Sequence, residues 1–203
     1  VFRLETDRLI LRPPRQSDLD SFAPFHTDPE VMEFIGGVAS RDETVVRLDL
    51  MIERWRADGF GDCVIERRQD GVVVGRCGLL VWDPVGWLPG TRAEFGVRWE
   101  LELGWMLGRP YWGNGYAIEA AAAIRALALA ELRPQRLISL IHAENARSLA
   151  VAARLGTHVE GEALVRGQVA AQIHVHPTTC ELAPSKDRAG RSAWSGLAPP
   201  HSI

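Results

Sequence analysis

Apolar residues recur at helical spacing in the first quarter of the chain and at strand spacing from residue 62 onward. Leu9-Ile10-Leu11-Arg12 reads as a short opening strand closed by Pro13-Pro14, and Ser17-Asp18-Leu19-Asp20 reads as a helix start with a side-chain cap. A second helix follows from about Pro29. Ser40 with Glu43 three residues on is a capping-box pattern, and Val45, Leu48, Ile52 and Trp55 keep helical spacing until Gly59. Cys63-Val64-Ile65-Glu66 and the run from Val72 through Trp82 predict two antiparallel strands joined at Gln69-Asp70-Gly71. From residue 93 to residue 107 every odd position is apolar, while Glu94, Arg98, Glu100 and Glu102 occupy even ones. That alternation predicts one long strand, bent at Gly96 or Gly104.

Beyond Gly115 the pattern predicts a helix to about residue 131, a strand over 136–142, a helix over 145–155, and strands near 158–165 and 171–182. A hairpin followed by this β-α-β-α-β-β order implies an α/β (α+β) architecture, a mixed sheet with helices on both faces. Residues 1–183 read as a single domain, and the Ser-, Gly- and Pro-rich residues 184–203 as a polar C-terminal tail.

Composition then narrows the chemistry. A net charge of −3 gives no basic surplus, so nucleic acid is not an expected partner. Cys63, Cys77 and Cys180 are an odd number without C-x-x-C spacing, which predicts neither a disulfide framework nor a zinc ribbon and fits a cytoplasmic setting. The charged first residues, and Glu119, Arg125 and Glu131 within the alanine-rich stretch 117–132, argue against a signal peptide or membrane span. Lys186 is the single lysine among 23 basic residues. Residues 1–185 therefore hold no P-loop lysine and no Schiff-base lysine.

The richest segment is Glu102-Leu103-Gly104-Trp105-Met106-Leu107-Gly108-Arg109-Pro110-Tyr111-Trp112-Gly113-Asn114-Gly115-Tyr116-Ala117. It reads as a strand, a glycine-rich turn and a helix start whose first N–H groups converge with the positive end of the helix dipole. On its own the segment fits both an anion cradle suited to phosphate and an ordinary strand-to-helix turn. Glu5-Thr6-Asp7-Arg8-Leu9, Asp28-Pro29-Glu30-Val31-Met32, the segment above with Glu119-Ala120, Glu144-Asn145-Ala146-Arg147-Ser148 and Arg154-Leu155-Gly156 occur in order. Together they resemble the Gcn5-related acetyltransferases (GNAT), especially the branch of ribosomal-protein N-terminal acetyltransferases, over about residues 3–182.

The resemblance implies an acyl-CoA N-acyltransferase fold, its mostly antiparallel sheet splayed between the fourth and fifth strands, with acetyl-CoA or coenzyme A as co-substrate in the opening. It implies that backbone near Met106 and Leu107 pairs with the pantetheine arm, that Gly113, Asn114, Gly115, Tyr116 and Ala117 hold the pyrophosphate with Trp112 alongside, and that Asn145 contacts the arm. Pro110 stands where the family has a polar or basic residue, and Arg109 is the substitute considered for its charge. The acceptor implied is a primary amine, on a small molecule or a peptide N-terminus, and a homodimer is among the assemblies relatives adopt.

An alkylammonium near pKa 10 is almost wholly protonated at pH 7, so the reaction needs a proton acceptor. Glu102, on the polar face of its strand, is the candidate base, with Glu100 behind it and a solvated carboxylate as the plain alternative. A backbone N–H near Met106 or Leu107 is the candidate donor to the carbonyl oxygen. Relatives carry a tyrosine where Ala152 stands, so Ser148 is the candidate to meet the departing thiolate. Glu160 and Trp87 are weighed as acceptor-side residues, in loops around 24–40, 83–92 and 162–172 that set acceptor choice. His174 and His176 share a strand face without a third ligand, so no metal is expected. The second reading is a coenzyme A binding module without catalysis.

Overall fold

The period-two stretches join into one mixed sheet in the computed structural model, which describes residues 2–177. Its path runs β1 (Leu4–Glu5), β2 (Leu9–Arg12), β3 (Asp62–Arg67), β4 (Val73–Trp82), β6 (Glu100–Leu107), β7 (Leu137–Ile141), β9 (Val169–Val175) and β8 (His158–Val165), with β5 (Pro89–Gly90) attached to β4. Every pairing is antiparallel except β6 with β7. The tail over 184–203, the end of the strand expected to reach residue 182, and Cys180 lie outside the described residues.

Helices α1 (Leu19–Thr27), α2 (Pro29–Met32) and α3 (Arg41–Asp58) cover one face of the sheet, where Phe22, Phe25, Met32, Leu48 and Met51 pack on Val64 and Met106. Helix α5 (Tyr116–Leu127) covers the other, setting Ala120, Ala121 and Ile124 against Leu11, Ile65, Leu79 and Leu103. Both clusters follow from the pleat: within β6, odd residues enter the α5 side while Glu102, Gly104 and Met106 face the α3 side. Helix α6 (Ala146–Arg154) follows β7. Among the described residues no helix is long and apolar enough to cross a membrane.

Capping at α3 matches its sequence. Glu43 N–H donates to the Ser40 hydroxyl at 3.2 Å, Ser40 N–H donates to the Glu43 carboxylate at 2.7 Å, and Gly59 ends the helix at φ 75°. The long strand expected over 93–107 is a correction. Residues Arg92–Phe95 form a short helix, α4, held by a reciprocal Thr91–Glu94 capping box, and Gly96 turns the chain at φ 61°. Strand pairing begins only at Glu100, because β4 runs out of partners at the Trp82–Glu100 pair. Val97, apolar and in phase, is 96% exposed. Gly104 pairs with Gly78 with no register shift, and the shifts fall instead in β3, between Ile65 and Glu66, and in β8, between Val159 and Gly161.

Asp18, expected as a helix cap, turns back onto Arg12. The buried guanidinium gives Nη1 and Nη2 to Asp18 at 2.9 and 2.6 Å and Nε to Glu66 at 2.6 Å, and Arg15 N–H donates to Asp18 at 2.7 Å. These bonds raise the guanidinium pKa against the opposing effect of burial. Removing one partner strands a charge away from water. Asp18→Ala is expected to lower unfolding stability by about 3 to 5 kcal/mol in urea titration, whereas Asp20→Ala, whose ion pair with Arg41 is exposed, is expected to cost less than about 1 kcal/mol.

Candidate active site

The two strands of the parallel pair part almost at once. Only Leu101–Leu137 and Glu102–Ile138 are in register, although β6 continues five residues past Glu102. Where the next ladder bond would fall, the Ser139 hydroxyl donates to the Leu103 carbonyl at 2.5 Å, and His176 Nε2 lies 2.9 Å from the Ser139 hydroxyl oxygen. The Leu103 carbonyl thus points toward β7, and alternation carries Trp105 and Leu107 the same way. Trp112 Nε1 takes the Leu107 carbonyl at 2.8 Å, which leaves both backbone groups of Trp105 and the Leu107 N–H facing the gap. This refines the expectation for Met106: its backbone faces β4, where its carbonyl lies against Gly75, and its side chain lines a cavity.

At the far end of β6 the chain turns through Gly113 and Gly115, both at φ 76°, into the twelve-residue α5. Side chains rarely adopt that backbone region, which accounts for the two glycines. Asn114 Nδ2 donates to the carbonyls of Tyr111 and Trp112 at 3.1 and 3.0 Å, holding the turn closed beneath the N–H groups of Tyr116 and Ala117. Arg8 reaches the Asn114 carbonyl at 2.9 Å and pairs with Glu119 at 2.6 Å, and Thr6 donates to Glu119 at 2.6 Å. Arg109 is already matched by Asp28 at 3.0 Å and Glu30 at 2.7 Å, so its charge is not free. Arg147 sits 4.0 Å over the Trp112 ring.

On the α3 side of the gap lies a cavity of about 290 Å³, and Glu102, Met106, Asn145 and Ser148 all line it. The Glu102 carboxylate accepts from Trp82 Nε1 at 2.5 Å and, weakly, from Leu140 N–H at 3.4 Å. Burial is the main force on this group and lifts its pKa to about 7. The Trp82 bond opposes the rise, Asp62 adds to it, and Leu140 N–H and Arg76 oppose it in smaller measure. Asn145 caps α6 through its side-chain oxygen, which accepts from Ser148 N–H at 3.1 Å.

Other candidates fall elsewhere. Glu100 and Glu160 are both tied to Arg136, and neither lines the cavity. Trp87 packs with Ile138, Ala163 and Ile173. Tyr111 and Tyr116 stack under Arg67 and Arg8 beside the turn. His174 Nδ1 lies 3.3 Å from the Thr157 hydroxyl, and the deeply buried His176 contacts Ser139. Trp82, which donates to Glu102, is marked by no motif in the sequence. Its signal was the face it shares with Arg76, Gly78 and Leu80 on β4, one strand from Glu102.

The raised carboxyl pKa carries a stability consequence. An unfolded glutamate ionises near 4.3, so between about pH 4.5 and 7 the native state holds a proton that the unfolded chain has released, and stability falls with rising pH across that window. Glu102→Gln is expected to be more stable than the parent at pH 8, by on the order of 3 to 4 kcal/mol, and close to it at pH 4.5. Thermal melts at the two pH values read this directly.

A profile of the acetyltransferase (GNAT) domain matches residues 8–158. The uncharacterized N-acetyltransferase p20 of Bacillus licheniformis is 29% identical over 164 residues, covering 78% of this chain and 83% of its own. The crystal structure of an acetyltransferase from Agrobacterium tumefaciens str. C58 superposes with a TM-score of 0.72 at 27% identity, over 87% of this chain and 95% of that one. RimL, a ribosomal L7/L12 alpha-N-protein acetyltransferase solved in complex with coenzyme A, shares the fold at a TM-score of 0.66 and 14% identity, over 86% of this chain and 97% of that one. A sheet opened after two parallel pairs, a glycine turn leading into α5 and a profile match spanning both place this chain in the GNAT acetyltransferase family.

Proposed function

We propose that the protein transfers an acetyl group from acetyl-CoA to a primary amine, with Glu102 as the base. The observation that carries the reading is a carboxylate with pKa near 7 in a cavity at the point where β6 and β7 part. The N-acetyltransferase relative supports the reaction class, and the coenzyme A complex of RimL supports the donor.

The residues present fit that donor. The open backbone groups of Trp105 and Leu107 suit the amide-bearing pantetheine arm, and the N–H groups of Gly113, Asn114, Gly115, Tyr116 and Ala117, with Trp112 alongside, suit its pyrophosphate. Acetyl-CoA supplies a thioester carbonyl open to attack by a neutral amine. Glu102, about half ionised at pH 7, takes the proton that the ammonium must lose, and Trp82 fixes the orientation of its carboxylate. A Leu107 or Trp105 N–H facing the gap donates to the carbonyl oxygen as its charge grows. Ser148 and the N-terminus of α6 stand on the cavity wall, where a hydroxyl and the positive end of a nine-residue helix favour a thiolate leaving group.

Two measurements test the reading. At about 100 times its dissociation constant, acetyl-CoA stabilises by roughly 2.7 kcal/mol, so it is expected to raise the melting midpoint by about 5 to 10 °C while ATP does not. Glu102→Gln is expected to lower kcat about 10²- to 10⁴-fold with acetyl-CoA binding retained. The parent's kcat/KM is expected to rise with pH through about 7, because the base must lose its proton, and the variant's to lack that limb. Acetyl-CoA binding with no thiol release from any amine, in parent and variant alike, would leave a coenzyme A binding module.

A further inference from the structure

Four arginines line the cavity from three elements: Arg47 and Arg54 from α3, Arg76 from β4 and Arg166 from the turn between β8 and β9. Helical spacing puts Arg47, Met51 and Arg54 on one face of α3, directed at the sheet. Arg76 has its counter-charge, Asp62, at 2.7 Å. Arg47, Arg54 and Arg166 have none: among the described residues they enter no ion pair. Arg47 reaches only the Gly37 carbonyl, at 3.5 Å.

Nearby carboxylates do not cancel the surplus. Asp62 is spent on Arg76, Glu43 on the cap of α3, Glu94 on the cap of α4, and Glu102 is about half neutral at pH 7. The surplus registers on its neighbours. Burial lowers the pKa of Arg47 and Arg54; Glu43 opposes the shift at Arg47 and Asp62 at Arg54, Arg166 and Arg76 add to it at both, and Glu94 opposes it in smaller measure at Arg54, so both still end below the ordinary value. His26, on the same wall, is held down to about 4, first by burial and then by Arg76 and Arg47. Guanidinium groups without an anion, half-buried at Arg47 and Arg54 and exposed at Arg166, repel one another, and their planar forks match carboxylate and phosphate oxygens in pairs.

We propose that the acceptor is a zwitterion: a primary amine that also carries a carboxylate or phosphate, bound by Arg47, Arg54 and Arg166 with its amine toward Glu102. The proposal rests on the acetyltransferase reading and names the substrate class it acts on. A cavity of about 290 Å³, at the small end of ligand sites, takes a compact molecule or the first residue of a peptide. Polycationic amines meet like charge there.

The test compares matched amines by thiol release from acetyl-CoA: 4-aminobutanoate against 4-aminobutanamide, O-phosphoethanolamine against ethanolamine, an acidic hexapeptide against its amide-side-chain counterpart, and spermidine. The anionic member of at least one pair is expected to be favoured about 10- to 100-fold in kcat/KM, as one or two charge-assisted bonds provide. Which pair shows it identifies free carboxylate, phosphate or peptide as the source. The ratio is expected to fall below about threefold in Arg54→Gln and Arg166→Asn, the latter chosen because Asn tolerates φ 53°, and to persist in Arg54→Lys. Calorimetric titration of N-acetyl-4-aminobutanoate and its amide into the coenzyme A-bound protein reads the same site without turnover.

Neutral amines or spermidine acetylated as well as the anionic ones would overturn this inference and leave the acetyltransferase reading standing. So would an Arg54→Gln variant that weakens acetyl-CoA instead of the amine. Arginine-dependent binding of the anionic product without turnover of any amine would do the reverse.

Discussion

Backbone N–H and C=O groups that lose their strand partner inside a protein must be met by something else. This protein creates such a demand between β6 and β7, where pairing stops after two residues while β6 runs on through Leu107. The Ser139 hydroxyl meets one carbonyl and the Trp112 indole another, and the groups between them stay open along a strand that is tightly paired to β4 on its other edge. That asymmetry gives the molecule a rigid rail with one free side. The glycine turn lies at the end of this rail and Glu102 near its start, so the rail joins the N–H groups that open α5 to the buried carboxyl.

The electrostatics divide along the same line. Near α5 the charges are stitched: Arg8 to Glu119, Arg109 to Asp28 and Glu30, with backbone N–H groups providing the positive potential. On the α3 side the reverse holds, and among the described residues three guanidinium groups stand without an ion-pair partner around a carboxyl whose pKa burial raises to about 7. Glu102 owes its raised pKa to enclosure more than to charge, with Trp82 and Arg76 limiting the rise. A carboxyl tuned by enclosure responds to anything that fills the cavity, because a ligand that displaces water strengthens the same penalty.

Much of this was legible in the sequence, for reasons that differ by element. Ser40, Glu43 and Gly59 delimit α3 because caps are local chemistry, and Gly113 and Gly115 mark the turn because positive φ leaves few other choices. Glu102 was separable from its neighbours because the pleat sends it to the opposite face from Leu101 and Leu103. The stretch 93–99 departs from expectation because alternation reports a face and not a partner, and no described strand pairs with Phe95 or Val97. The link from Trp82 to Glu102 crosses strands, and the meeting of Arg54 with Arg166 joins segments more than a hundred residues apart. Neither is written in local pattern. Arg47 and Arg54 look like ordinary helix surface until the β8–β9 hairpin is seen to close over them.

A hydroxyl has one proton to give, and the Ser139 hydroxyl gives its own to a carbonyl that has none to return. His176 must therefore be the donor in the contact between them, which fixes its tautomer with the hydrogen on Nε2 and leaves Nδ1, buried and without a partner among the described residues, as a bare acceptor. Burial, then Arg125 and His174, hold this imidazole down to about 3, so it stays neutral. Side by side, a serine and a histidine suggest an activated nucleophile; here the polarity runs backward, and an imidazole already protonated on Nε2 cannot take the serine's proton.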